Sequence, residues 1–192
     1  TLTADRLALR WLEAPDVDDL YRIFGDPLVM RYWSSPPLQD RTAARALLAE
    51  IHDYFERREL FQWGVALAGD GPVIGTCTLA WLQPESARAE LGFALGREHW
   101  GRGYMEEALR TLLDYAFGPL GLRRLEADID PRNEASIRLT ERLGFRREGL
   151  LRERWVTAGE VQDSLFYGLL RREWRGGRDT GLSRSRSESS SG

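Results

Sequence analysis

The stretch from Glu90 to Pro119 sets the terms for everything around it. Glu90 to Leu95 is a short apolar-rich run with the length of a buried strand, and Gly96 to His99 turn the chain. Trp100-Gly101-Arg102-Gly103-Tyr104-Met105 is a loop with two glycines. Ala108, Leu109, Leu112, Leu113, Ala116 and Phe117 then recur at helical spacing until Gly118-Pro119 stops the helix. Arg123 to Ile129 is a further strand. A strand-helix-strand crossover of this kind is right-handed and sets its two strands parallel.

A loop feeding a helix start leaves several backbone N–H groups without internal partners, and the helix dipole adds partial positive charge there. Gly101 and Gly103 let a ligand approach the main chain closely. Two readings stand at this point: an anion site, most often for a phosphate or pyrophosphate, or an ordinary strand-to-helix turn with convenient glycines. Two familiar phosphate loops are excluded. A dinucleotide-binding loop wants a third glycine where Glu106 stands. A Walker loop needs Gly-Lys-Ser/Thr, and the chain contains no Lys.

Around this centre the chain alternates short elements. Arg6 to Trp11 reads as a first strand. Pro15-Asp16 opens a helix carrying Val17, Leu20, Tyr21 and Phe24. Tyr32, Trp33 and a Ser-Ser-Pro-Pro turn follow. A second helix presents Ala44, Leu47, Leu48, Ile51 and Phe55 on one face. Phe61 to Ala68, Val73 to Leu82 and the Glu90 strand, joined by short turns, argue for an antiparallel meander. Asn133 to Leu143 is a short helix closed by Gly144, and Phe145 to Thr157 with Val161 to Leu170 form a closing hairpin. The pattern predicts an α/β domain over residues 1–175. Its sheet is mixed, mostly antiparallel and of about seven strands, with helices on both faces. Residues 176–192 are Ser, Arg and Gly with almost nothing apolar, and read as a flexible tail.

Composition removes several classes of function. A chain of 192 residues supports one well-buried domain of roughly 170 residues. The net charge of -3 gives no global support to nucleic-acid binding. All 27 basic residues are Arg, which excludes lysine nucleophiles and Schiff bases. The single cysteine, Cys77, and two histidines make a structural zinc site a poor expectation and suit a reducing cytoplasm. Cys77 reads as a small core residue ahead of a nucleophile. No apolar run is long enough to span a membrane, and no secretory leader is read. No Gly-x-Ser-x-Gly elbow supports a hydrolase triad.

The Asn133 helix carries three stripes. One is charged, one is apolar through Ala135, Leu139 and Leu143, and one holds the small polar groups Asn133, Ser136 and Thr140. By itself this leaves Asn133 as an N-cap or as a ligand contact. WGRGYMEEAL, followed about thirty residues later by PRNEASIRLTERLGFRREG, resembles the GNAT superfamily of acyl-CoA-dependent N-acyltransferases. More narrowly, DRLALRWLEAPDVDDLYRIFGDPLVMRYW and GEVQDSLFYGLLRREW resemble the opening and ending of its RimJ/RimL-type branch, so the likeness runs from Leu2 to Trp174.

That resemblance implies a GNAT fold with a splayed pair of parallel strands and acetyl-CoA as co-substrate. It implies that Trp100, Gly101, Arg102, Gly103, Tyr104 and Met105 hold the coenzyme pyrophosphate through main-chain N–H groups. Phe93, Ala94 and Leu95 would offer edge backbone groups to the pantetheine arm and acetyl carbonyl. Asn133 would contact the coenzyme, and Ser136 would sit near the sulfur and protonate the leaving thiolate. The chain departs from the family in carrying Trp100 where Gln or Arg is usual, Met105 where Gly or Ala is usual, and Thr140 where many members carry a Tyr acid. Met105 would crowd a tightly closed loop, and Thr140 makes Ser136 the better candidate acid.

Some superfamily members place a catalytic Glu where Glu90 stands, at the start of the strand leading to the acetyl site. Burial would tune it as a base; the alternative is a structural carboxylate paired with Arg88. Amine attack is direct and calls for no metal. The leading acceptor is a protein or peptide N-terminus. A small amine (antibiotic, polyamine or amino acid) is the first rival, and an acyl-CoA-binding regulatory module without turnover is a remoter one. Tyr32, Trp33 and Trp81 either line an acceptor pocket or belong to the core; closure by Tyr32-Trp33 would favour a small molecule. Asp163 either faces the acceptor or braces the hairpin. His99 is either at the phosphate or solvated, and His52 is expected to do nothing specific. The expected protein is a cytoplasmic monomer or homodimer with no nucleic-acid or membrane partner.

Overall fold

A computed structural model describes residues 1–157 and 159–176. The expected tail lies outside the described residues from 177 onward. Eight strands and four helices follow one another: β1 (Leu2–Thr3), β2 (Leu7–Arg10), α1 (Val17–Phe24), α2 (Arg41–Glu56), β3 (Leu60–Leu67), β4 (Val73–Gln83), β5 (Arg88–Leu95), α3 (Tyr104–Phe117), β6 (Arg124–Ile129), α4 (Glu134–Arg142), β7 (Arg146–Thr157) and β8 (Glu160–Leu170). They build one sheet in the order β1-β2-β3-β4-β5-β6-β8-β7. Every neighbouring pair is antiparallel except β5–β6, which the α3 crossover makes parallel. The eighth strand is β1, two residues laid against the far end of β2 with Leu2 opposite Leu9. It is too short to show alternation.

Each helix forms where its apolar residues share one side. In α3, Met105, Ala108, Leu109, Leu112, Leu113, Ala116 and Phe117 are all buried, at the three- and four-residue steps that line one face. In α2, Asp40 caps the start by accepting from the Ala43 N–H at 2.8 Å, and Ala44, Leu48 and Ile51 turn inward. Two cores result. α3 and α4 cover one side of the sheet through residues such as Val65, Cys77, Leu79 and Leu125. α1 and α2 cover another patch with Leu12, Ala66, Val73 and Ala94. Val65 and Ala66, neighbours in β3, fall in different clusters, as the two-residue period of a strand requires.

Gly75 on β4 lies opposite Leu95 in the β4–β5 pairing. A Cβ there would come within 2.5 Å of the Ala94 carbonyl oxygen, a main-chain atom with nowhere to go. Gly75→Ala is therefore expected to destabilise by about 1–3 kcal/mol, lowering the melting temperature by roughly 4–10 °C. An unchanged melt would show that β4 and β5 sit further apart than described.

Candidate active site

β5 and β6 begin as a regular parallel pair, with Arg88 opposite Arg124, Ala89 opposite Leu125 and Glu90 opposite Glu126. The pairing then stops, although β5 continues to Leu95 and β6 to Ile129. Beyond Glu90, β5 stays with β4 as far as Gly75↔Leu95, while β6 stays with β8 as far as Ile129↔Leu165. The sheet parts between them, and main-chain groups along the two inner edges lose their ladder partners. An ion-paired chain fastens the closed end. The Arg88 guanidinium donates to Glu126 at 2.5 Å, and Arg124 donates to the other Glu126 oxygen at 2.8 Å and to Glu148 at 2.5 Å.

The mouth of the gap is a cleft of about 330 Å³. Among its lining residues are Tyr32, Trp33, Trp81, Glu90, Asp128 and Ser136, with Phe93 and Asn133 beside them. The chain thus brings together most of the residues expected near the acetyl group. Asn133 is an N-cap: its Oδ1 accepts from the Ser136 N–H at 3.2 Å, which fixes the start of α4 at the cleft. Thr140, one turn on from Ser136, is fully buried with an unpartnered hydroxyl and does not line the cleft. Ser136 is the α4 hydroxyl that does. Ala94 is buried in the α1–α2 core, and the Leu95 carbonyl already accepts from the Trp100 indole N–H at 2.7 Å.

Glu90 occupies the fork itself. The expected alternative, a pair with Arg88, does not form, because Arg88 turns to Glu126 and to Gln83. Among the described residues the Glu90 carboxyl makes no hydrogen bond and no ion pair. Burial, reinforced by the negative charges of Asp128 and Glu126 and opposed by Arg154 and Arg88, pushes its pKa up to about 7. The other acidic residues of the cleft are engaged. Asp128 accepts from the Ser164 hydroxyl, from the Trp155 indole at 3.2 Å and from Arg154 at 3.4 Å. Asp130 binds Arg132 at 2.7 Å. Asp163 accepts from the Glu153 N–H at 2.8 Å, which makes it a brace of the hairpin. Sequence reading missed Asp128: an aspartate inside a strand carries no spacing signal, and its partners lie on β7 and β8.

The glycine-bearing loop lies at the start of α3, with Gly101 at φ +72° and Gly103 at φ +76°. Among the described residues, the amides from Gly101 to Glu106 donate to no main-chain or side-chain acceptor; Glu107 is the first, to Gly103 at 3.1 Å. A Cβ at Gly101 would meet nothing within 4 Å, so the main chain there is open to a ligand. Two acidic residues in the first turn would repel an anion, but both are engaged by arginines. Arg110 and Arg142 hold the Glu106 carboxyl below the usual carboxylate range, and Arg6 pairs with Glu107 at 2.6 Å. Arg6 also donates to the Arg102 carbonyl at 3.1 Å and lies over the Tyr104 ring at 4.7 Å. Six unpartnered amides, room above Gly101 and neutralised glutamates fit a diphosphate.

Met105 does not crowd the loop. Its side chain is buried, with the sulfur 3.6 Å from Cys77 Sγ. Cys77 is a core residue whose thiol burial pushes far above its ordinary range, which leaves it inert. His99 is half-buried and packs against Tyr104, and its Nδ1 is buried without a partner among the described residues. His52 has a definite part after all: its Nε2 meets the Leu12 carbonyl at 2.9 Å and its ring stacks on Trp11.

Residues 6–146 match the acetyltransferase (GNAT) domain. The chain belongs to the GNAT acetyltransferase family. It is 38% identical to the uncharacterized N-acetyltransferase p20 of Bacillus licheniformis, over 92% of this chain and 99% of that one. It is 29% identical to the spermidine N(1)-acetyltransferase of Escherichia coli K12, over 85% of each chain. A crystal structure of a GNAT-family acetyltransferase from Bacillus anthracis superposes with a TM-score of 0.80 at 25% identity, covering 90% of this chain and 99% of that one. The GNAT fold uses acetyl-CoA, and this member is an acetyl-CoA-dependent acetyltransferase.

For this GNAT enzyme the unpaired Glu90 has a measurable consequence for stability. Its carboxyl titrates near 7 when folded and near its ordinary 4.5 when unfolded. The native state therefore holds the extra proton between those values, and stability falls as pH rises through that window. Glu90→Gln removes the effect. The variant should melt close to the parent at pH 5 and several degrees above it at pH 8; equal melting temperatures at both would show that Glu90 is solvated.

Proposed function

We propose that this chain carries the acetyl group of acetyl-CoA directly to a primary amine seated in the cleft, the acceptor being the N-terminal α-amine of a protein or peptide. The observation that carries the reading is the single unpaired carboxylate at the fork of the sheet. Glu90 takes the proton from the arriving ammonium, directly or through one water, and the amine then attacks. Acetyl-CoA supplies an activated acetyl group. Main-chain amides from Gly101 to Glu106 hold its diphosphate, the inner edge of β5 near Phe93 receives the pantetheine arm and acetyl carbonyl, and Ser136 passes a proton to the departing sulfur while its hydroxyl is restored by the second proton that the acylated nitrogen sheds.

Proton matching supports an α-amine. An α-ammonium of pKa about 7.7–8.0 passes its proton to a carboxylate near 7 at a cost of roughly 1 kcal/mol, whereas an alkyl ammonium near 10.4 costs roughly 4–5 kcal/mol. Charge supports it too. Glu90 can meet one cation, while Asp128, Asp130 and Asp163 are already engaged, so a polyamine would find little for its further charges. The likeness to the RimJ/RimL-type branch points the same way. A small-molecule amine is the second reading, supported by Tyr32 and Trp33 on the cleft wall and by the relative named as a spermidine acetyltransferase. A cytoplasmic site of action is part of the proposal, supported by the lone buried thiol of Cys77; among the described residues no helix is long and apolar enough to cross a membrane.

Thiol release from acetyl-CoA, measured with N-terminal peptides and small amines, tests both parts. Activity should rise with pH through an inflection near 7, since the base works deprotonated, and Glu90→Gln should lower kcat at least about 100-fold with CoA affinity intact. Full activity in that variant would remove Glu90 from the chemistry. Gly103→Val forces a β-branched residue into φ +76°. It should weaken CoA binding by more than about tenfold while the chain still folds; unaltered affinity would count against the loop.

A further inference from the structure

Two residues in left-handed backbone stand in bulges on either side of the parted strands, and neither is a glycine. In β4, Ala80 pairs with Glu90 and Gln83 with Arg88, so β4 carries one extra residue, and Trp81 adopts φ +50°. In β7, Leu151 pairs with Ser164 and Trp155 with Gln162, so β7 carries two extra residues, and Glu153 adopts φ +51°. The Asp163 carboxylate pins that second bulge through the Glu153 N–H. Each bulge sets an indole on the cleft wall with Glu90. Trp81 is 69% exposed and Trp155 is 37% exposed. The Trp155 N–H is fixed on Asp128 at 3.2 Å, and Arg154 lies 5.2 Å from the centre of its ring.

Core packing does not explain Trp81. Most of its surface is in water, and its backbone is in a region that side chains other than those of Gly, Asn and Asp rarely adopt. A bulge re-aims a side chain, and here both bulges aim one at the same opening. We propose that Trp81 and Trp155 set acceptor specificity by gripping an apolar group carried within a few bonds of the attacking amine. This deepens the acetyl-transfer reading above and rests on it. The acceptor class is a primary monoamine with a flat or bulky apolar substituent, supplied by the first residue of a peptide or by a free arylalkylamine. Arg154 beside Trp155 keeps Asp128 engaged, so that wall offers a second positive charge on the acceptor no free partner.

The test uses the full chain and four acceptors: peptides beginning with Phe or with Ala, phenethylamine, and spermidine. The Phe peptide or phenethylamine should exceed the Ala peptide and spermidine by at least about tenfold in kcat/KM. Which of the two leads tells a peptide source from a free amine. Trp81→Gly and Trp155→Leu should bring that preference within about threefold by raising KM for the amine, with KM for acetyl-CoA unmoved. Trp81→Gly should melt at or above the parent, since glycine takes that backbone angle freely, so lost selectivity cannot be put down to unfolding. Turnover with the same preferences in Trp81→Gly, or a parent enzyme indifferent to the apolar group, overturns the inference alone. Turnover of none of the four amines overturns the acetyl-transfer reading and this inference with it.

Discussion

The molecule depends on two strands that start together and do not stay together. β5 and β6 share three residue pairs and then follow their outer neighbours away from each other. A sheet twists, and a parallel pair buried on both faces normally extends its ladder as far as both strands run. Here the continuous partners lie outside, β4 for one strand and β8 for the other. The Arg88–Glu126–Arg124–Glu148 chain holds the joined end. The opening is thus part of the folded architecture, available without local unfolding.

Charge balance then gives the opening its chemistry. Arginine is the only strongly basic residue type in the chain, and its planar fork suits paired contacts with carboxylates. Around the gap these contacts engage Glu126, Asp128, Asp130, Glu106 and Glu107. Glu90 is passed over, since the arginine two residues away faces Glu126 instead. Its raised pKa therefore follows from the loss of water and from the neighbouring acids, with no dedicated device.

Much of this was legible in the order of residues. The helical stripe of α3, the short turns of the β3–β4–β5 meander, the crossover and the glycine loop are local patterns with a fixed period or a fixed residue requirement. Asn133 is legible as an N-cap and Glu90 as an early residue of the strand leading to the cleft, while the roles given to Ser136, Asn133 and Glu90 come from the GNAT resemblance. What could not be read depends on distant partners. β1 is two residues long. Asp128 is defined by Ser164, Arg154 and Trp155 from another hairpin. The bulges at Trp81 and Glu153 break an alternation that looks intact in one strand alone, since an extra residue exists only relative to the partner. Met105, a possible obstacle in the loop, points into the core beside Cys77.

Arg6 ties together parts that lie far apart along the chain. It stands just before β2, at the sheet edge remote from the fork, yet it reaches Glu107 and the Arg102 carbonyl, 101 and 96 positions onward. The start of the second strand, one in from the sheet edge, thereby becomes a buttress for the glycine-bearing loop. Whatever displaces the first few residues therefore loosens the start of α3 and the loop before it, the segment proposed above to hold the coenzyme.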